Sequence, residues 1–97
     1  MKGYWIVLGT EIIDEEAQKE YGRLWKSIAE KYQAILNPSQ TPALLVEARD
    51  TKRVLIVEFP SYAQAKECYN DPAYQVAIPF ALKASKRELL IIEADFN

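Results

Sequence analysis

The 97-residue sequence contains no histidine, the side chain that proteins use most often as a general base and as a metal ligand. Ser-His-Asp and Cys-His catalytic sites therefore cannot form within one chain. Four glutamates lie in predicted strands: Glu47, Glu58, Glu88 and Glu93. Without histidine partners at ligand spacing, they do not make a metal site. We expect no bound metal and no cofactor.

The sequence has a single cysteine, Cys68, so no disulfide can form within the chain. A lone thiol suits a reducing compartment, and at an apolar helix position we expect it to be an inert small hydrophobe. No apolar run approaches the ~20 residues of a membrane span. The run Tyr4–Leu8 is also too short for the apolar part of a signal peptide. These absences predict a cytoplasmic protein with no membrane partner.

An excess of positive charge is also missing. The formal net charge is −2 and the isoelectric point is near 5.1. The one close basic group, Lys83, Lys86 and Arg87, is followed at once by Glu88, which is typical of a solvated turn. Nucleic-acid binding requires a basic surface, so we predict no nucleic-acid partner.

What is present is an ordinary globular composition. Hydrophobic residues make up 49% of the chain and charged residues 27%, which excludes a disordered protein. The length predicts one domain over residues 1–97. A domain of this size buries only about two-thirds of its unfolded surface, so association with a second copy would stabilise it.

The hydrophobic periodicity predicts the element order β-α-β-β-α-β. The predicted strands are Lys2–Thr10, Ala43–Arg49, Lys52–Phe59 and Arg87–Ala94. The first helix starts after an N-cap at Asp14 and extends to about Ile35, and the second runs from Ser61, in a capping box with Gln64, to near Asn70. Asp50-Thr51 reads as the turn of a hairpin. A further helical turn or two over Ala73–Phe80 is limited by Pro79.

This order is that of the ferredoxin-like fold, an α+β domain with a four-stranded antiparallel sheet and two helices on one face. The first and last strands are apolar on both faces, so the second face also needs a cover. The simplest cover is the same face of another copy. The pattern therefore predicts a homodimer that forms a dimeric α/β barrel.

Glu58 is the candidate catalytic residue. It shares one face of its strand with Val54 and Ile56, where loss of solvation would raise the pKa of a carboxyl group toward the range of acid–base catalysis. The alternative is a structural ion pair with Arg49 or Arg53.

Five further residues form the candidate ligand-binding set: Tyr69, Tyr74, Gln75, Tyr4 and Arg53. A tyrosine packs its ring against a ligand while its hydroxyl donates a hydrogen bond. The alternative is that these rings only seal the junction of sheet and helices. Tyr21 and Trp25, one helical turn apart, are expected in the core.

Four stretches of the sequence resemble the DUF1330 family, a domain of unknown function in the dimeric α/β-barrel superfamily. They are KGYWIV at Lys2–Val7, RVLIVEFPS at Arg53–Ser61, CYNDPAYQ at Cys68–Gln75 and ELLIIEA at Glu88–Ala94. The resemblance implies a homodimer without an established activity. Proteins with this dimeric barrel include small monooxygenases and muconolactone-isomerase-like enzymes, with a small pocket between sheet and helices.

The sequence departs from the family pattern at two places. Ile78 and Ala81 stand where many members carry arginines, and Gln33-Ala34-Ile35 replaces glycines after the first helix. The apolar replacements favour an apolar pocket or a purely structural role.

Two functions follow as hypotheses. The first is a homodimeric module that binds a small apolar or aromatic molecule or is purely structural. The second is a cofactor-free enzyme, monooxygenase-like or isomerase-like, in which Glu58 works with Tyr69 or Tyr74 in acid–base chemistry. A regulatory subunit is a weaker third interpretation, because the sequence offers no disordered arm for it.

Overall fold

The computed structural model describes residues 1–37 and 43–95. These ranges form four strands and three helices. In chain order they are β1 (Lys2–Gly9), α1 (Glu15–Tyr32), β2 (Ile35–Leu36), β3 (Arg53–Phe59), α2 (Tyr62–Asn70), α3 (Pro72–Ala84) and β4 (Arg87–Ala94). Across the described ranges, no helix is both long and apolar enough to pass through a membrane.

The strands form one antiparallel sheet in the order β2-β3-β1-β4. Residues Gly3–Gly9 of β1 pair with β3 along one edge, and Lys2–Gly9 pair with β4 along the other. The three helices pack on one face of the sheet, because side chains from all three contact the ring of Trp5. The α+β ferredoxin-like fold predicted from the sequence is confirmed, with one helix more than the two predicted.

The second strand is not the predicted one. Residues Ala43–Arg49 form no strand and are exposed, and the sheet instead uses Ile35–Leu36, which pair with Glu58 and Val57. Asn37 then closes the pairing, because its Oδ1 accepts a hydrogen bond from the Ile56 N–H at 3.0 Å. The hairpin prediction was wrong because a segment nearer to the helix end takes this part of the β3 edge.

The end of α1 explains why that nearer segment is available. The helix stops at Tyr32 rather than near Ile35, because Gln33 adopts the left-handed conformation (φ 55°). Its N–H bonds back to the Ala29 and Glu30 carbonyls, and the Ala34 N–H donates to Ala29 O at 2.9 Å. This left-handed C-cap satisfies the last helical carbonyls and turns the chain toward β3.

The register assigns each strand side chain to one of two faces. On β1 the helix-facing residues are Gly3, Trp5, Val7 and Gly9, and the opposite face, here called the open face, carries Lys2, Tyr4, Ile6 and Leu8. The cross-strand partners extend the open face with Val54, Ile56, Glu58, Glu88, Leu90 and Ile92. The core lies on the helix side: Trp5, Val57 and Phe59 meet Ile28, Ala65, Cys68, Tyr74 and Ala77 there.

The prediction that Pro79 limits the third helical segment was wrong. Helix α3 starts with Pro72 at its first turn and continues through Pro79 to Ala84. An interior proline costs about 3 kcal/mol. Ala77, Ala81 and Ala84 lie on the apolar face of α3 and are buried. The free energy gained by this burial offsets the cost of the proline.

Asp71 joins the helices to one another. Its Oδ1 caps α3 by accepting from the Ala73 N–H, and its Oδ2 accepts from Lys31 Nζ at 2.8 Å and from the Tyr32 hydroxyl. These hydrogen bonds, from Lys31 first, hold the pKa of the Asp71 carboxyl down at about 2. The carboxylate therefore ties the end of α1 to the start of α3.

Two glycines give opposite predictions for the same substitution. A Cβ at Gly3 would lie 2.5 Å from Ser61 O and 2.7 Å from Tyr62 Cα, so Gly3→Ala should cost about 1–3 kcal/mol by pushing α2 off the sheet. Gly22 is an exposed residue of α1 with nothing within 4 Å, so Gly22→Ala should stabilise by about 1 kcal/mol. Urea denaturation of both variants measures this, and equal shifts would contradict the close approach of α2.

The lowered pKa of Asp71 predicts that the folded protein loses stability in acid. The folded state binds a proton at Asp71 more weakly than the unfolded chain, whose pKa is near 3.8. The stability from this carboxylate is therefore complete above about pH 5 and is lost as the pH falls toward 2. Asp71→Asn keeps an N-cap side chain but removes the charge, so its stability should fall less between these pH values than that of the unaltered protein.

The measurement is urea denaturation at a series of pH values. Lys31→Met serves as a second variant, because it removes the main cause of the lowered pKa and should also flatten the profile. Parallel profiles for all three proteins would show that Asp71 does not titrate differently in the folded state.

Candidate functional site

The predicted site residues are divided between the two faces of the sheet. Tyr4 and Glu58 are direct cross-strand partners on the open face. Tyr69 and Tyr74 contact Trp5, whose side chain points to the helix side. The sheet itself therefore separates Glu58 from both of these tyrosines, and the predicted pairing of Glu58 with Tyr69 or Tyr74 does not occur.

Glu58 has local partners on the open face. Its Oε2 accepts from Lys2 Nζ at 3.0 Å, and its Oε1 accepts from the Tyr4 hydroxyl at 3.4 Å. The ion-pair partner is thus Lys2, rather than Arg49 or Arg53 as the sequence suggested. Burial and then the nearby carboxylate raise the pKa of Tyr4, so the phenol is protonated at neutral pH and donates to Glu58. Glu58 thus has one cationic partner and one hydrogen-bond donor on the open face.

The helix side of the sheet is filled by aromatic rings. Trp5 is 1% exposed, and its ring centroid lies 5.5 Å from Trp25, 5.0 Å from Phe59 and 4.9 Å from Tyr74. Tyr69 packs edge-on against Trp5 at 5.9 Å. Tilted and edge-on pairs at these distances are favourable packing geometries. Here the tyrosine rings seal the junction of sheet and helices, where the resemblance implied a pocket.

Tyr74 carries a buried chain of polar groups within this aromatic layer. Its hydroxyl lies 3.0 Å from the Tyr21 hydroxyl and accepts a hydrogen bond from Arg87 Nη2 at 2.8 Å. The Arg87 guanidinium also lies over the Tyr21 ring, 5.2 Å from its centroid. Burial raises the pKa of Tyr74 well above its ordinary value, so the phenol stays neutral and is not a general base.

Arg53 lies at the far end of the same face. Its Nε donates to Thr10 O at 3.0 Å, and its Nη2 lies 3.4 Å from Ser85 Oγ. Ser85 is itself buried. Arg53 contacts Ser85, and Tyr74 contacts Arg87. Both contacts therefore lie where β4 begins.

The other candidate residues have structural partners. Gln75 is exposed, and its Nε2 donates to the Tyr69 carbonyl at 2.7 Å, which braces the junction of α2 and α3. Ser61 caps α2 through the Gln64 N–H, as the sequence predicted. Cys68 is fully buried, and burial raises its thiol pKa to about 12, so it is unreactive.

A cavity of about 480 Å³ opens where β1 ends and β4 begins. It is lined by Leu8, Thr10, Leu45, Glu47, Ala48, Arg49, Asp50, Thr51, Lys86, Arg87 and Glu88. A second cavity of about 460 Å³ shares Thr10, Arg49, Asp50 and Lys86 with it. The cavity is thus bounded by apolar, cationic and anionic groups. Among the residues that the structure describes, no group of histidine, cysteine or carboxylate side chains could hold a metal ion.

Sequence reasoning missed the residues that gather at this end of the sheet. Arg87 was interpreted as part of a solvated turn, yet it reaches the buried Tyr74 hydroxyl. The sequence did not mark Thr10 or Ser85 as site residues, because single hydroxyl residues next to strand ends are common. The sequence carried no signal for the convergence of Arg53 and Arg87, because it depends on the strand register, which sets them on either side of Gly9.

Comparisons with known proteins identify the fold and a family of unknown function. A family model described as "Domain of unknown function (DUF1330)" matches residues 2–95. A search of curated protein sequences finds no match. A solved protein of unknown function from Rhodopseudomonas palustris is 18% identical, with a TM-score of 0.69 over 99% of this chain and 84% of that one.

Two further solved structures share the fold. The cofactor-independent oxygenase SnoaB from Streptomyces nogalater is 13% identical, with a TM-score of 0.59 over 99% of this chain and 95% of its own. A protein of unknown function from Bacteroides fragilis, described as dimeric and ferredoxin-like, is 14% identical with a TM-score of 0.52 over 96% of each chain. At these identities the likeness shows the architecture alone.

The hydroxyl of Tyr74 should contribute more to stability than that of Tyr69. Tyr74→Phe removes the oxygen that Arg87 and Tyr21 share and leaves a partly buried guanidinium donor without its acceptor, so it should cost about 1–3 kcal/mol. The Tyr69 hydroxyl bonds to no described residue, so Tyr69→Phe should change stability by less than about 0.5 kcal/mol. Urea denaturation compares the two, and equal effects would rule out the polar chain as a stabilising element.

Proposed function

The chain belongs to the DUF1330 family, and we propose that it is a homodimeric module that binds a small apolar or aromatic molecule. The observation that carries the proposal is the open face of the sheet. Its centre is apolar, and no described helix packs on it. The residues are Ile6, Leu8, Val54, Ile56, Leu90 and Ile92.

The open face has the chemistry of a surface that a second copy covers. Leu90 is 43% exposed in the single chain, and contiguous apolar surface of this kind marks interaction sites. Lys2 and Glu58 form an ion pair at one end of the face, so burial there would not leave either charge alone. A two-fold axis lets the same surface cover itself, which gives the barrel of two sheets.

The cavity at the sheet end supports the binding role. Its volume lies within the range of about 300–1,000 Å³ that is usual for small-molecule sites. Leu8 belongs both to the open face and to the cavity wall, so a second copy on the open face would border the cavity. The apolar part of the wall, Leu8, Leu45 and Ala48, suits an apolar or aromatic ligand.

The enzymatic alternative has less support from the geometry. Glu58 does not meet Tyr69 or Tyr74, and its contacts with Lys2 and Tyr4 are those of a structural ion pair. The likeness to an oxygenase of 13% identity bears on the fold alone. Glu58→Gln should therefore leave ligand binding unchanged. Loss of turnover of a substrate with retained binding would favour the enzyme.

We also propose that the protein resides in the cytoplasm. Its single thiol is buried and cannot form an intramolecular disulfide, as expected in a reducing compartment.

Three identical substitutions at different positions test the dimer. Val54→Lys places a charge on the open face and should give a folded monomer, whereas Val57→Lys buries a charge in the core and should unfold the chain. Val76 is 59% exposed on α3, so Val76→Lys is the matched control that should remain a dimer. Light scattering after size exclusion reports the mass, and circular dichroism reports the fold. A monomeric unaltered protein at micromolar concentration would overturn the dimer.

Native mass spectrometry of freshly purified protein tests the binding role. We expect a dimer that carries added mass, and this mass should disappear on denaturation and give the class of the ligand. A dimer without added mass that also fails to bind aromatic probes would favour the structural role.

A further inference from the structure

Gly9 separates two arginines that lie on the same face of the sheet. It pairs with Arg53 of β3 on one side and with Arg87 of β4 on the other. Directly opposite residues of antiparallel strands project to the same face, so both arginines start on the helix side. A Cβ at Gly9 would lie 3.4 Å from Arg53 Nη2 and 3.5 Å from Arg87 Cβ. The Arg53 guanidinium therefore extends over Gly9 toward Arg87.

Neutral groups hold both guanidinium groups in place. Arg53 donates to the Thr10 carbonyl and to the Ser85 hydroxyl, at 3.0 and 3.4 Å. Arg87 donates to the Tyr74 hydroxyl at 2.8 Å. Each guanidinium offers five N–H donors, so most of them are not used by these contacts.

Neither arginine has a carboxylate partner within residues 1–37 and 43–95. The ion pairs there join other residues: Lys2 with Glu58, Arg23 with Glu20, Lys31 with Asp71 and Lys83 with Asp14. The remaining residues, 38–42 and 96–97, include no aspartate or glutamate. Arg53 and Arg87 are both partly buried, so each guanidinium has lost part of its contact with solvent. Glu47, Asp50 and Glu88 line the adjoining cavity, but among the described residues none of them forms an ion pair with either arginine. Two like charges that converge without an ion-pair partner attract an anion.

We infer that the small molecule bound by this protein carries an oxyanion, a carboxylate or a phosphate, which Arg53 and Arg87 hold beside Gly9. The planar guanidinium fork matches both groups through paired hydrogen bonds. Arg87 and Thr10 also line the cavity that contains Leu8 and Leu45, so an apolar or aromatic body attached to the anion would extend into it. This inference rests on the proposed binding function and names the ligand class.

Three probes with the same aromatic body separate the anion from the ring: benzoate, phenyl phosphate and benzyl alcohol. They are titrated into the dimeric protein labelled with ¹⁵N, and the Nε–H signals of its arginines are followed. Benzoate or phenyl phosphate should shift the signals of Arg53 and Arg87 but not that of Arg23, which is exposed and paired with Glu20. Benzyl alcohol should bind at least about tenfold more weakly, because it lacks the charge-assisted hydrogen bonds.

Variants test the assignment of the two arginines. Arg53→Met and Arg87→Met should each weaken binding of the preferred anion at least about tenfold, whereas Arg23→Met should leave it unchanged. Arg87→Met removes the donor to Tyr74, so Arg87→Lys is the second variant, which keeps the charge but loses the fork. Circular dichroism confirms that each variant is folded.

The outcomes distinguish this inference from the proposed function. Preference for phenyl phosphate over benzoate, or the reverse, identifies which oxyanion the site takes. Equal binding of benzyl alcohol and both anions would overturn the anion site while leaving an apolar binding module. Absence of any shift at Arg53 and Arg87 with millimolar anion would overturn the anion site as well, and the oligomeric state would still test the dimer independently.

Discussion

The burial of Trp5 on the central strand is the contact on which the rest of the structure depends. Its indole N–H donates to the Ala65 carbonyl at 2.9 Å, and its ring contacts residues from all three helices and from β3. A buried indole needs an acceptor for its N–H, so the position of α2 is tied to that of β1. Gly3, two residues before Trp5, permits this approach because a Cβ there would collide with the start of α2.

The same packing determines where the polar side chains gather. Because rings from β1, β3 and the helices fill the junction around Trp5, polar groups are carried to the end of the sheet. There the Tyr74 hydroxyl, Ser85 and Thr10 position the two arginines beside Gly9. Ile78 and Ala81, which replace the arginines implied by the family resemblance, lie on α3, and Ala81 is buried. The two arginines at this end of the sheet are thus carried by strands β3 and β4 rather than by α3.

The two faces of the sheet have different roles. The helix side supplies the core of the single chain, and the open face presents apolar side chains with the Lys2–Glu58 pair at one end. A domain of 97 residues has a small core, so stabilisation by a second copy on the open face is physically reasonable. Leu8 lies both on that face and in the cavity wall, so the proposed dimer interface and the proposed binding site would adjoin each other.

The sequence by itself determined the local features of this protein: the strands β1, β3 and β4, the starts of α1 and α2 and the apolar character of both sheet faces. These depend on periodicity and capping groups within a few residues, such as Asp14 for α1 and Ser61 for α2. Only the tertiary structure decided which segment pairs with β3, because Ile35–Leu36 and the start of Ala43–Arg49 are both apolar. It also decided that Pro79 lies inside a helix, through burial that a local pattern does not reveal.

The arrangement of the candidate site was also decided by the tertiary structure. Glu58 could be assigned to a face with Val54 and Ile56, but its separation from Tyr69 and Tyr74 depends on which face the helices cover. The convergence of Arg53 and Arg87 depends on the register of two strand pairs that meet at Gly9. Residues 34 positions apart in the chain become neighbours only through this register, because strand pairing joins segments that are distant in the sequence.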